Sequence, residues 1–118
     1  MGTETGRGVA PIVHDPDTDL HVPALCDVEV IAGLRRATLH HGLDVRRAGE
    51  ILEDYEELPL TRHGHVALLA RAFDLRRNFS AYDATYVALA EQTMGALLTA
   101  DDRLGRAARQ HTKVNVLA

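Results

Sequence analysis

Three carboxylates, Glu29, Asp83 and Asp101, stand on three separate stretches whose patterning can bring them to one edge of a fold. Asp83 closes Ser80-Ala81-Tyr82-Asp83 at the head of an apolar run, and Asp101 follows the short run Ala96-Leu97-Leu98-Thr99. Glu29 lies inside a long stretch beginning at Pro23. Acids brought together repel, and such a group is relieved by keeping a proton or by binding a hard divalent cation. Mg2+ typically takes one or two carboxylates together with waters and substrate phosphates. Helix capping competes as an explanation. Asp83 three residues after Ser80, and Asp102 three after Thr99, both fit capping boxes worth about 0.5–2 kcal/mol. Because Thr99 and Asp102 suffice for that second cap, Asp101 is left over, and Glu29 has no capping role.

The elements that must position these acids alternate in type. Residues 5–14 read as a frayed helix remnant within an irregular segment 1–19, whose glycines, Pro11 and Pro16 oppose a long helix. Asp15 to Asp19 reads as a turn and Leu20-His21-Val22 as a short strand. A helix from Pro23 runs until Gly42 stops it, with Leu25, Val28, Ile31 and Leu34 as its apolar face. Glu29 sits beside that face next to small Ala32 and Gly33, a partly desolvated position that requires a partner. Asp44 caps a third helix with Val45, Ala48, Ile51, Leu52 and Tyr55 inside. An edge strand at residues 58–61 carries Pro59, and a helix at 63–75 follows. The helix begun at Ser80, the strand ending at Thr99, a helix to Gln110 and a last strand at 114–117 complete the chain. Strands alternating with helices point to a parallel sheet covered on both faces, and open sheets of that kind bind ligands beyond the strands' C-terminal ends.

With 118 residues and 46% hydrophobic content, one compact core is expected and two are not. No run of eighteen apolar residues exists, so no membrane span is expected. A lone Cys26 and a start without a basic-then-apolar signal point to a reducing, cytoplasmic setting. The formal charge of -4 requires local arginine clusters or metal ions for any nucleic-acid role. The seven histidines lack the i,i+4 pairing of helical zinc sites and have no cysteine cluster beside them, so a structural zinc site is not expected.

The segments VPALCDVEVIAGLRRA, SAYDATYVALAE and LLTADDRL, in this order and at these separations, resemble the PIN-domain family, specifically its VapC-type toxin ribonucleases. The likeness covers nearly everything from Leu20 to Leu117. It implies one PIN-like domain over 1–118, three-layered α/β/α and flavodoxin-like with a mostly parallel sheet. It also implies a Mg2+-dependent endoribonuclease, with Mn2+ able to substitute, that hydrolyses RNA phosphodiester bonds with a metal-activated water. By motif, Glu29, Asp83 and Asp101 match the family's catalytic, metal-holding acids, and Thr99, Asp102 and Ser80 stand as supporting neighbours. Arg36 and Arg103 are the arginines expected to touch RNA phosphates. The partners implied are a cognate antitoxin, RNA and a second copy of the chain.

One departure qualifies the match. Family members begin with a buried strand carrying a first catalytic aspartate, whereas this chain opens inside what should be the following helix. A sheet without its middle strand leaves unpaired edges. Three explanations are open: a truncated or misplaced start, a strand supplied by another copy or partner, or a recast N-terminus. In the last, Ala10 to Asp15 imitates a short strand ending in an acid, against which Pro11 weighs. Two functions follow: a nuclease toxin, or a binding module that keeps the fold without cleavage.

Overall fold

The computed structural model describes residues 10–17 and 19–117. Five strands form one sheet in the order β3-β2-β1-β4-β5, with β1 Ile12–His14, β2 Leu20–Pro23, β3 Leu60–His63, β4 Ala96–Leu98 and β5 Asn115–Leu117. The helices are α1 Leu25–His40, α2 Val45–Glu56, α3 Leu69–Asp74, α4 Ala81–Thr93 and α5 Asp102–His111, with a 3-10 turn Val66–Leu68 leading into α3. The architecture is the expected three-layer α/β/α. No helix among the described residues is long and apolar enough to cross a membrane.

The middle of the sheet differs from expectation. β2 and β3 are parallel, as are β4 and β5, but β1 lies between the two pairs and runs antiparallel to both. Residues 12–14 are therefore strand and not the end of a frayed helix, and the sheet is mixed. Residues 5–9 of that expected helix lie outside the described residues. Two β-branched residues make the segment a fit for a pleated, buried position, and Val13 is fully buried between His21 and Leu97. Pro11 precedes the ladder, so its missing N–H breaks no strand bond. Running backwards, the strand starts beside Leu98 at the C-terminal edge of its neighbours and ends beside Ala96 and Leu20 at the opposite edge. Asp15 is thereby carried away from the edge where an imitated first acid would have to stand.

α4 forms the centre of the core. Ala84 and every residue from Tyr86 to Ala90 are buried, as expected for a helix that is apolar nearly all round. It starts where Ser80 Oγ accepts the Asp83 N–H at 3.1 Å, and it stops at left-handed Met94. Gly95 follows because a Cβ there would meet the His14 carbonyl oxygen at 2.8 Å and Val13 Cγ1 at 2.9 Å. That close approach seats β4 against the central strand.

Other boundaries shift for local reasons. Pro23 ends β2 and α1 begins at Leu25, whose N–H donates to His65 Nε2 at 3.0 Å. The apolar face expected of α1 is only partly buried: Cys26 is buried and Val30 packs on the core, while Val28 and Ile31 are exposed. In α2, Val45 is likewise exposed. The helix expected over 63–75 is shorter because His63 completes β3 in parallel register with Pro23.

Candidate active site: a cleft of acids and arginines

The C-terminal end of β4 and the lead-in to β1 open on a cleft of about 690 Å³. Glu29 reaches it from α1, Asp83 from the first turn of α4 and Asp101 from the turn between β4 and α5. Three elements thus bring the three acids singled out in the sequence to one cavity. Ser80 and Thr99 line it as well, whereas Asp102, exposed in the first turn of α5, does not. Among the described residues, the lead-in to β1 contributes Ala10 and Pro11 to the wall and no carboxylate.

Each acid is held differently. Tyr86, itself buried, donates its hydroxyl to Glu29 Oε1 at 2.5 Å. Burial raises the Glu29 carboxyl above the usual glutamate range, the Tyr86 bond opposes that rise, and the neighbouring Asp83 charge adds to it. Desolvation and then the Glu29 carboxylate push the Tyr86 phenol far up, so it remains a donor throughout the ordinary pH range. Asp83 stands where its own N–H is satisfied by Ser80. Asp101, expected to be spare, is the N-cap of α5: its Oδ1 accepts the N–H groups of Arg103 at 3.0 Å and Leu104 at 3.2 Å. Thr99 is displaced from that role and instead accepts the Asp101 N–H at 3.0 Å through Oγ1, fixing the turn. Asp101 Oδ2 takes no part in these bonds.

Basic groups surround the acids. Arg36, Arg76, Arg77 and Arg103 line the cleft. Four arginines against three carboxylates leave the lining with a local excess of one positive charge, although the whole chain carries -4. Arg71 is occupied elsewhere, forked onto Glu91 at 2.6 and 2.9 Å. Arg76-Arg77-Asn78 directly precedes the Ser80 cap, so the closeness of these two arginines to an acid-bearing helix start is legible in the sequence. Tyr86 as the partner of Glu29 had no such signal, because 57 residues separate them.

All-oxygen donors suit a hard divalent ion. The cleft carboxylates do not form a closed cage; among the described residues, the trio whose ligand atoms all lie within 4.8 Å is Asp15, Asp19 and His21. That trio sits at the opposite edge and is engaged internally. Asp15 Oδ1 accepts the N–H groups of Asp17 and Asp19 at 2.9 and 3.0 Å, and Oδ2 meets His21 Nε2 at 2.8 Å. His21 Nδ1 in turn faces His63 Nε2 at 2.8 Å. These contacts latch the turn before β2. An open set of oxygen donors is compatible with a hard divalent ion that keeps waters of its own.

Residues 3–110 match the family model for the PIN domain. The chain is 41% identical over 98 residues to ribonuclease VapC9 of Mycobacterium tuberculosis, covering 83% of this chain and 77% of that protein. It is 42% identical over 90 residues to ribonuclease VapC3 of the same species, covering 76% and 66%. To ribonuclease VapC12 it is 30% identical over 99 residues, covering 84% and 77%. With the family model spanning most of the chain and relatives of this closeness, the chain belongs to the PIN-domain family as a VapC-type member.

Proposed function

We infer that the chain is a divalent-metal-dependent endoribonuclease, the toxin of a toxin–antitoxin pair, with residues 1–118 as one nuclease domain. The observation that carries this reading is the convergence of Glu29, Asp83 and Asp101 in one cleft whose remaining charge is arginine. The relatives' name, ribonuclease, supports the substrate class. In this reading the three carboxylates hold Mg2+, which Mn2+ can replace. When bound, the ion neutralises phosphate charge and makes water a nucleophile at neutral pH. The chain's own side chains do the positioning. Tyr86 fixes one oxygen of Glu29, Thr99 fixes the turn bearing Asp101, Ser80 sets the helix start bearing Asp83, and Asp102 adds negative charge next to Asp101 in the chain. Arg36, Arg76, Arg77 and Arg103 grip phosphates flanking the scissile one.

The other partners are a cognate antitoxin and a second copy of the chain, and the setting is the cytoplasm. Exposed Val28 and Ile31 on α1 and Val45 on α2 give an antitoxin segment an apolar face to cover. The test is RNA cleavage in Mg2+ or Mn2+, abolished by EDTA and by Asp83→Asn. Cleavage indifferent to EDTA would sink the metal assignment. One observation favours a second reading, a module that binds antitoxin or dimerises without cleaving: among the described residues, the lead-in to β1 lines the cleft with Ala10 and Pro11 and with no acid. That reading expects antitoxin binding with no metal-dependent turnover at high protein concentration.

A further inference from the structure

The cleft has a second component that its acids do not explain. Tyr82 lines the mouth beside Asp83 and is 63% exposed, although it lies one helical turn before buried Tyr86 on the same stripe of α4. Phe73, at the end of α3, is 66% exposed. Arg76 holds its guanidinium over the Phe73 ring at 4.4 Å from the centroid, and its Nη1 donates to the Phe73 carbonyl at 3.1 Å. The same Arg76 lines the cleft together with Tyr82, so it links the Phe73 ring to the acid-bearing wall.

Exposed aromatic rings usually cost solubility, and a guanidinium fixed over one of them has lost rotamer freedom. The combination is the one that binds unpaired nucleotides: π-faces for stacking bases, and a positive track for the backbone. We propose that Tyr82 and the Phe73–Arg76 stack form a base platform beside the acids that receives an unpaired RNA nucleotide flanking the scissile phosphate. The proposal rests on the ribonuclease reading and assigns base contacts at that cleft to named side chains. Bases inside an RNA duplex have both faces covered by their neighbours, and the groove presenting their edges is narrow or shallow. A duplex therefore offers the arginines its phosphates and offers Tyr82 nothing. A second copy of the chain is the competing occupant. The arginines interleaved with the rings argue against it, because the cores of protein interfaces are depleted in charge.

The test is binding of a labelled single-stranded RNA of about a dozen nucleotides, in Ca2+ with strand integrity checked on a gel. A duplex of the same sequence and the strand carrying abasic positions are compared, alongside Mg2+-dependent cleavage of the unpaired strand. The platform requires Tyr82→Ala to weaken single-strand binding by roughly tenfold, with Tyr82→Phe retaining affinity because it keeps the ring. Phe73→Leu should lose a comparable share, and abasic strands should bind the parent chain no better than the intact strand binds Tyr82→Ala. Folded Tyr82→Ala and Phe73→Leu proteins that bind the single strand as tightly as the parent overturn the platform, as does equal affinity for the duplex. Unchanged RNA affinity with a shift from dimer to monomer in sedimentation also overturns it and assigns the rings to a second copy. If the parent cleaves but the variants do so equally, only the platform fails; if it neither binds nor cleaves RNA, the ribonuclease reading fails with it.

Discussion

The hydroxyl of Tyr86 donates to Glu29 Oε1 across the interface between α4 and α1, joining a buried phenol to a half-buried carboxylate. Desolvation and the Asp83 charge both favour the protonated form of Glu29 more than the Tyr86 bond disfavours it. The sign of the stability effect follows. A carboxyl whose folded pKa lies above its unfolded value binds a proton more tightly in the native state, so its charged form costs stability at neutral pH. That cost disappears as pH falls through the raised folded value. Glu29→Gln keeps an oxygen for Tyr86 and removes the charge. It should melt higher than the parent at pH about 7, by a few degrees at most, with the gain shrinking as pH falls toward the ordinary glutamate range. RNA cleavage should be lost at every pH. Thermal melts across that range check the first part, and a gain that stays constant with pH would contradict the desolvation account.

Gly95 determines how closely β4 meets the reversed central strand. A Cβ at 2.8 Å from the His14 carbonyl strikes backbone, which cannot rotate aside. Gly95→Ala should therefore destabilise by about 1–3 kcal/mol, the usual range for overpacking. In denaturant unfolding the midpoint should fall with an unchanged slope. Near-neutral behaviour would mean that β1 shifts freely, which its pairing on both edges argues against.

The direction of β1 was not legible in the sequence, and the reason is physical. Ile12-Val13-His14, expected as the end of a frayed helix, has two β-branched residues but is too short to show a period, and pairing partners far along the chain decide polarity. The start of α4 was legible, because Ser80 carries its cap locally. Asp101 shows the limit of that rule: Thr99 and Asp101 both have capping chemistry, and the turn geometry chose the second. The exposed rows on α1 were read as core because periodicity finds an apolar stripe without saying what covers it. The convergence of Glu29 with Asp83 and Asp101 was expected from motif resemblance, and the structure brings them to one cleft.

His63 joins β3 to the turn latch through His21 and is partly buried. Desolvation first, and the neighbouring His21 second, lower its pKa below the usual 6.5. A histidine with a depressed folded pKa resists protonation in the native state, so the unfolded chain takes up more protons as pH falls through the ordinary imidazole range. Stability consequently drops there, and the loss levels off below the folded value. His63→Gln, which hydrogen-bonds without titrating, should flatten the melting temperature between pH about 7 and about 5. Parent and variant melts that fall in parallel would remove His63 as the cause.

Asp101 combines two duties that substitution can separate. Its Oδ1 caps α5 by accepting two backbone N–H groups, a duty asparagine performs about as well and alanine does not. In the proposed nuclease its charge also helps to hold the metal ion, a duty neither replacement performs. Asp101→Asn should unfold within a few tenths of a kcal/mol of the parent, while Asp101→Ala should lose about 0.5–2 kcal/mol. Cleavage should drop by roughly a hundredfold or more in both. Calorimetric Mn2+ titration should show weakened binding in both variants, since it reads the charge and not the cap. An Asp101→Asn protein that cleaves RNA normally would reduce Asp101 to a helix cap and leave Glu29 and Asp83 as the only acids of the site.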